Sequence, residues 1–246
     1  MEGRETATPG LKKAAQYIQS KFEAAGISFA PGMESYEQKV LFEKSAWGKT
    51  EMVVNGSDQK MLRNFYAFAG LCKPITQEFT EISFVGYGIQ NDQMDHYQRS
   101  PKSNVALAFG GVPKTENGTP VYSETETDGQ EFIEKAKLAK NNGIDLLFII
   151  DENFKQNAAR FNRFILNPRF KMIDQEDEGF NGASLIFISP TLAENMFGKK
   201  LKKALKRKSN IIDKKNFKSF EIPVNLSVNL NTSVNRVESQ NLAGYI

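Results

Sequence analysis

"DGQEFIEKAKLAKNNGIDLLFIID", from Asp128 to Asp151, joins a helical pattern directly to a strand pattern. Asp128 and Glu131 resemble a capping pair, Gly143 follows the helix end, and an apolar stripe runs through Phe132, Ile133, Ala136 and Ala139. The apolar run "IDLLFII" that comes next is typical of a short buried strand. A helix that leads at once into such a strand is an α/β step, so this stretch predicts an α/β fold.

Outward from this step, strand patterns outnumber helical ones. Strands are predicted in "FTEISFVGYGI", "SNVALAFGG" and "ASLIFIS", and in the strictly alternating "EIPVNLSVNL", with which "SVNRVESQNLAGYI" is expected to pair. Helices are predicted in "TATPGLKKAAQYIQSKFEAAGI", with Thr8 as cap and Gly26 as stop, and in "SPTLAENMFGKKLKKALKRK", with Ser189 as cap. Residues of about 153 to 182 read as a polar segment. The expected class is therefore α/β and rich in strands.

Composition limits the partners. The chain has 246 residues, 40% of them hydrophobic, and lacks any apolar run long enough for an integral membrane segment. Its net charge of +3 comes from Lys199 to Lys208, which holds seven basic residues and no acid, leaving 3 − 7 = −4 elsewhere. We interpret this segment as a solvated amphipathic helix and expect no nucleic-acid partner; contact with an anionic membrane or nucleic acid is the alternative.

Residues that could carry chemistry are few. The single cysteine, Cys72, is interpreted as a buried small hydrophobe, because a nucleophilic thiol needs a histidine base. The glycines of "GYG" (Gly86 to Gly88) lack the third glycine of a dinucleotide site. Asp92, Asp95 and His96 lack metal-ligand spacing and read as a polar surface loop, as does the acidic segment 174–179. No catalytic, cofactor-binding or metal-binding residue is assigned.

Several segments together resemble one family. "GRETATPGLKKAAQYIQSKFEAAGI" is similar to the N-terminal signature of secreted zinc aminopeptidases, whose family includes bacterial leucine aminopeptidases, glutamate carboxypeptidase and the transferrin receptor. Matching positions are Gly3, Arg4, Thr8, Pro9, Gly10, Ala14, Ala15, Tyr17, Ile18, Phe22 and Gly26. "VESQNLAGYI" resembles the family strand that precedes the first zinc ligands.

The middle of the chain resembles the protease-associated (PA) domain inserted in many members of that family. "FVGYGI", a polar stretch ending "DHY", "SNVALAFGGVP", "KAKLAKNNGIDLLFIID" and "LIFISPTLAENMFG" follow the order of the PA elements. Lys102-Ser103-Asn104 and Ile144-Asp145 depart from the usual pattern, while the order of elements holds. The resemblance implies residues 1–46 and 224–246 as pieces of an incomplete α/β peptidase domain around a barrel-like PA domain at 47–223.

The resemblance also implies a function. The parent protein is expected to be a zinc-dependent exopeptidase that hydrolyses peptides with two zinc ions, and this chain its non-catalytic front portion, ending before the zinc ligands. The PA domain is expected to cover the active site or restrict access to it, through loops such as Asn91 to Lys102 or Lys114 to Asp128. Partners would be peptide or protein substrates, and the location periplasmic or extracellular. The alternative is a stand-alone PA-type interaction module without enzymatic activity.

Overall fold

The structure is a computed structural model that describes residues 6–91, 94–113, 130–173, 180–200, 202–204 and 217–246. Its helices are α1 (Pro9–Ala24), α2 (Gln130–Asn141), α3 (Phe154–Leu166) and α4 (Pro190–Phe197), with short 3-10 turns at Ala69–Leu71 and Gly198–Lys200. Its strands are β1 (Ser28–Phe29), β2 (Glu37–Val54), β3 (Ser57–Gln59), β4 (Phe65–Tyr66), β5 (Ile75–Phe84), β6 (Val105–Phe109), β7 (Leu146–Ile150), β8 (Arg169–Met172), β9 (Ser184–Ile188), β10 (Phe220–Leu242) and β11 (Gly244–Tyr245). The mixed α/β, strand-rich class is confirmed.

The chain divides into two compact units. The smaller comprises Met1–Ser45, Pro168–Asp177 and Val234–Ile246, and the larger comprises Ala46–Asn167 and Glu178–Ser233. Compactness does not identify a family, so the division into peptidase segments and an inserted PA domain stays a prediction.

The larger unit is built on a mixed sheet with a parallel centre. The strand order is β3-β2-β10-β5-β6-β7-β9-β4, in which β5, β6, β7 and β9 run parallel and β10 and β4 flank them antiparallel. Helix α2 connects β6 to β7 and α3 precedes β9, so each serves as a crossover between parallel neighbours. The α/β step predicted from the sequence is thus the centre of this unit.

The central strands are buried on both faces, which explains their continuous apolar runs. All five residues of β6, of β7 and of β9 are buried. Val105, Leu107 and Phe109 belong to a core shared with α4 and β10, whereas Ala106 and Ala108 face a second core shared with α2 and α3.

The smaller unit contains α1 and two short antiparallel pairings. Strand β1 pairs with β11, and β8 pairs with the first half of β2, with Phe42 opposite Met172 and Lys44 opposite Phe170. Thr8 Oγ1 accepts the Leu11 N–H at 3.4 Å at the start of α1, and Gly26 lies just past its end with φ of 66°. Both predicted ends of this helix are confirmed.

The structure differs from the predicted secondary structure at three places. The segment read as polar, about 153 to 182, contains the unpredicted helix α3, whose buried Phe154, Ala158 and Ile165 follow helical spacing. The two strands expected to pair at the C-terminal end are one continuous strand, β10, followed by the short β11.

The predicted helix from Ser189 to Lys208 is interrupted. Its cap at Ser189 is confirmed by a 3.2 Å bond from the Leu192 N–H, and α4 ends at Phe197, where Gly198 adopts a φ of 48°. A 3-10 turn follows at Gly198–Lys200 and residues 202–204 are helical, while residues 201 and 205–208 lie outside the described residues.

No helix among the described residues combines the length and the apolar character needed to span a membrane.

Candidate functional site

The richest polar chemistry of the described residues lies where the parallel strands end. The carboxyl ends of β5, β6 and β7 lead into "VGYG", "GG" and "DE", respectively. In open α/β sheets, ligands bind outside this edge of the sheet. The side chains at this edge therefore form the candidate site. We define the carboxyl-edge cluster as Tyr87, His96, Glu131 and Lys135.

Lys135 is the unexpected member of the cluster, since it is only 3% exposed. It comes from α2, on the inward face that also carries Ala136 and Ala139. Its ammonium donates hydrogen bonds to the carbonyl of Phe109 at 3.1 Å and to the carbonyl of Gly111, which lie at the end of β6. The lysine therefore ties α2 to the strand it follows.

The charge on Lys135 is only partly balanced. Glu131 Oε1 lies 3.9 Å from Nζ, one helical turn away, and the faces of the Tyr87 and Phe132 rings lie within about 6 Å of the ammonium. Burial lowers the pKa of Lys135 to about 8, and the Glu131 carboxylate opposes that shift. Lys135 is therefore still protonated at neutral pH, although it loses its proton at a lower pH than an exposed lysine does.

His96, the only histidine, is buried in the same cluster and is 2% exposed. Its Nδ1 accepts the backbone N–H of Ile89 at 3.1 Å, so the loop folds back on the end of its own strand. Burial and, to a smaller extent, the nearby Lys135 charge lower the pKa of His96 to about 4. The imidazole is therefore neutral at pH 7. The interpretation of this loop as a polar surface loop was wrong for His96, because burial of the ring beside Tyr87 and Phe217 outweighs the polar sequence around it.

Two glycines make the edge possible. A Cβ on Gly110 would stand 2.5 Å from the Ile150 carbonyl, whose oxygen accepts the Gly110 N–H at 3.0 Å. Gly88 has a φ of 64°, and a Cβ there would meet the Tyr97 hydroxyl at 3.2 Å. The glycines of "GYG" and "GG" thus serve close backbone packing at the strand ends.

A second polar network lies at the end of β7. Asp151 accepts a hydrogen bond from the Tyr66 hydroxyl at 2.8 Å, and Asn157 of α3 donates to both of its carboxylate oxygens at 3.1 and 3.0 Å. The Asn153 N–H adds a fourth bond at 2.9 Å. Burial and the Asp151 carboxylate raise the pKa of Tyr66. This network fixes the start of α3 against the sheet.

Three of these polar groups, those of Lys135, His96 and Asp151, are hydrogen bonded within the protein, whereas Glu131 Oε1 is buried without a hydrogen-bond partner among the described residues. The Lys135 ammonium, His96 Nδ1 and both Asp151 oxygens already have protein partners. A general base or nucleophile needs a lone pair directed at a substrate. The geometry is therefore that of polar groups that hold the strand ends, the loop and two helices in place.

The resemblance implies two zinc ions, and the described residues do not fit them. Within the described ranges, no group of three or more His, Cys, Asp or Glu side chains is arranged to hold a metal ion. His96 and Asp151, the best donors by type, are already hydrogen bonded within the protein. We accordingly assign no metal ligand to this part of the chain.

The other residues singled out from the sequence lie apart. Cys72 is buried, its thiol donates weakly to the Leu185 carbonyl at 3.8 Å, and burial raises its pKa to about 12, so its interpretation as a small core residue is confirmed. Asp95 accepts the Tyr97 N–H and shapes its loop. Some of these positions lie outside the described residues, namely Asp92, segments 114–128 and 174–179, and five of the ten residues of the basic segment 199–208.

Sequence reasoning missed Lys135 and Asp151. The signal for Lys135 was its spacing, since it lies three residues after Phe132 and four before Ala139 on the inward face of α2. Asp151 follows a buried strand directly, the position where parallel sheets collect functional side chains.

No family model matches the chain, and no curated protein matches it in sequence.

Proposed function

We propose that this chain is the non-catalytic front portion of a zinc-dependent exopeptidase, in which a PA-type domain restricts or guides access of peptides to the active site. The zinc ions and their ligands belong to the remainder of the parent protein in this proposal. A periplasmic or extracellular location follows from the family resemblance alone.

The observation that carries the proposal is the arrangement of the segments that resemble the PA domain. The strands in "FVGYGI", "SNVALAFGGVP", "IDLLFIID" and "LIFIS" are neighbours in one sheet, and the residues that follow them meet at one edge. The Lys135 ammonium, His96 Nδ1 and the Asp151 carboxylate at that edge are hydrogen bonded within the protein, which favours a supporting role for them over a catalytic one.

The first experiment reads the gene beyond the codon for Ile246 and assays its full product. We expect a His-x-Asp motif soon after, later Glu-Glu, Asp and His ligands, and aminopeptidase activity that a chelator abolishes and zinc restores. A stop codon, or ligand positions replaced by other residues, would overturn the enzyme proposal in favour of the stand-alone interaction module.

The second experiment tests the access role within that full product. Arg99 is exposed in the loop between β5 and β6. It lies near the carboxyl edge, since its backbone carbonyl accepts a hydrogen bond from the Ser219 hydroxyl, just before β10. We expect Arg99→Ala to change kcat/KM for long peptides several-fold while leaving a single-residue nitroanilide unaffected. Lys73→Ala is the matched control, since Lys73 is exposed at the opposite, amino edge, where its N–H contacts Ser184. Equal effects of the two substitutions would contradict the access role.

A further inference from the structure

Four asparagines of the chain are followed directly by a glycine, namely Asn55, Asn117, Asn142 and Asn181. Asparagine before glycine is chemically labile, because glycine has no Cβ to shield its backbone nitrogen from the neighbouring side-chain amide. In a folded protein the reaction also requires that the amide and this nitrogen are free to approach each other. Asn117 lies outside the described residues, so the structure compares the other three pairs.

The Asn55 amide is hydrogen bonded through both its oxygen and its nitrogen. Its Oδ1 accepts the Asn225 N–H at 3.1 Å, and its Nδ2 donates to the carbonyl and to Oδ1 of Asn195 at 3.4 and 3.3 Å. Asn55 and Gly56 have φ angles of 49° and 78°, as in a two-residue turn between hairpin strands. Attack on the amide would have to break these bonds and leave this turn conformation.

The Asn142 pair, just after the end of α2, is also held. Asn142 Nδ2 donates to Gln90 Oε1 at 3.0 Å and to the Leu138 carbonyl at 2.8 Å. The N–H of Gly143, whose nitrogen would be the attacking atom, donates to the Lys140 carbonyl at 3.1 Å. Both reacting groups of this pair are therefore hydrogen bonded.

The Asn181 pair, shortly before β9, lacks these restraints. Neither the Asn181 amide nor the Gly182 N–H is hydrogen bonded to any of the described residues, and Asn181 lacks the positive φ of Asn55. Asn181 and Asn55 are both exposed, so exposure does not distinguish the two pairs. Close packing requires the glycine, because a Cβ on Gly182 would stand 2.6 Å from the Phe180 ring and 2.9 Å from Ala136 Cβ.

From this difference we propose that Asn181 is a site of spontaneous deamidation in the folded protein, whereas Asn55 and Asn142 are protected. Hydroxide removes the proton of the Gly182 N–H, and this nitrogen forms a bond to Asn181 Cγ. The bond from Cγ to Nδ2 then breaks, and the leaving nitrogen takes a proton from water and departs as ammonia. Water opens the resulting cyclic imide at either carbonyl, which gives aspartate or isoaspartate and adds a negative charge in both cases.

The isoaspartate product would alter the start of β9, because it adds a carbon to the main chain there. Directly after this point, the Ala183 N–H donates to the Ala136 carbonyl of α2 at 2.9 Å, and the Ser184 N–H donates to the Asp145 carbonyl before β7 at 2.8 Å. A longer main chain shifts both donors relative to their acceptors. The aspartate product keeps the original main chain and should leave both bonds in place.

Peptide mapping by mass spectrometry tests the site on the whole chain. The protein is incubated in mildly alkaline buffer, either folded or in guanidinium chloride, and the deamidated fraction of each Asn-Gly peptide is followed over time. In the folded chain we expect Asn181 to react at least about tenfold faster than Asn55 and Asn142, whose amides must first lose hydrogen bonds. In guanidinium chloride the three rates should become similar, since each asparagine precedes a glycine.

Two variants separate the chemistry from its consequence. Asn181→Gln keeps an amide but disfavours ring closure, so it should abolish the fast reaction and leave the rates at Asn55 and Asn142 unchanged. Asn181→Asp supplies the negative charge without the additional main-chain carbon. We expect hydrogen exchange at Ala183 and Ser184 to be several-fold faster in the purified isoaspartate form than in the wild type, and to be unchanged in freshly prepared Asn181→Asp.

Three results would overturn the inference, which is independent of the proposed function. Equal rates at the three pairs in the folded chain would show that the hydrogen bonds do not protect. A fast rate at Asn181 only in guanidinium chloride would show that burial of Gly182 keeps hydroxide from its N–H. Equal exchange in the isoaspartate form and in Asn181→Asp would refute the effect on β9.

Discussion

Strands β7 and β8 are similar in length and opposite in environment. β7 has a hydrogen-bonded partner on each side, β6 and β9, and all its residues are buried. β8 has one partner among the described strands, and three of its four residues are exposed. The two sequences match these environments, since "LLFII" is uniformly apolar and "RFKM" alternates a cationic residue with an apolar one.

The difference separates two uses of a strand. A strand buried on both faces satisfies its backbone within the sheet and contributes apolar area to two cores. An exposed edge strand contributes little burial and keeps backbone groups available for another chain. Stability should therefore depend much more on β7 than on β8.

The sharpest test of this contrast applies one substitution to both strands. Phe148 of β7 is fully buried, so Phe148→Ala removes a ring from the core and leaves a cavity, and we expect a loss of about 3–5 kcal/mol in the free energy of unfolding. Phe170→Ala in β8 removes a partly exposed ring with one aromatic and one cationic contact, and should cost about 1 kcal/mol or less. Urea denaturation followed by circular dichroism measures both.

If the two compact units unfold at different urea concentrations, a single two-state transition does not describe the protein, and each unit needs its own readout. Hydrogen exchange at β6 and β9 amides then reports Phe148→Ala, and exchange at Lys171 reports Phe170→Ala. Comparable losses for the two variants would break the contrast between β7 and β8.

The features of the fold that could be predicted from the sequence were those decided by local pattern. Strand β7 and helix α2 were recognisable because a helical stripe gives way to an apolar run within a few residues, with Gly143 between them at a φ of 82°. Helix α3 was missed because its exposed face is rich in Asn, Arg and Lys, and only its buried face shows the period. The continuity of β10 was missed because "NTSVNR" looks like a turn, while the pairing that holds it extended is set by distant residues.

The candidate site was harder to predict, since its chemistry is created by burial. Only helical spacing distinguishes Lys135 from the exposed Lys137 of the same helix, because Lys135 falls on the face with Phe132 and Ala139 that meets the sheet. His96 was assigned to the surface from its polar neighbours, whereas its environment is set by Tyr87 and Phe217, one of them more than a hundred residues away in sequence. Tertiary contacts decide such positions, and single-sequence patterns do not contain them.

Lys135 extends the contrast to a charged side chain that is buried beside the central strands. Lys135→Met leaves the carbonyls of Phe109 and Gly111 without their donor and Glu131 without its counter-ion, so we expect a loss of about 2–3 kcal/mol at pH 7. Adding Glu131→Gln should recover part of that loss, because it removes the unbalanced carboxylate. Urea denaturation of the wild type, both single variants and the double variant gives the coupling between the two positions.

The same lysine predicts a pH dependence. Its pKa is lowered on folding, so the folded state binds fewer protons between pH 8 and 10.5, and the wild type should gain up to about 2 kcal/mol between pH 8 and 9.5. Lys135→Met should lack that gain. The exposed Lys137→Met is the control and should follow the wild type. A wild-type curve that is flat over this window, or one that Lys135→Met reproduces, would show that the ammonium is not desolvated.

Replacement of His96 should have the smallest effect on the free energy of unfolding at neutral pH. Its effect should change as the pH falls. Its pKa falls from about 6.5 in the unfolded chain to about 4 on folding, so the stability it provides is complete above pH 6.5 and is lost as the pH falls toward 4. The loss amounts to about 3 kcal/mol, on top of the contributions of carboxylates. His96→Gln keeps an acceptor for the Ile89 N–H and cannot titrate, so it should cost about 1 kcal/mol at pH 7 and equal or exceed the wild type at pH 4.5. Urea denaturation at pH 7, 5.5 and 4.5 tests the crossing, and parallel curves for the two proteins would mean that the imidazole is hydrated. A crossing would establish that the edge where the parallel strands end is as dry as the sheet itself, which is the property that β8 lacks.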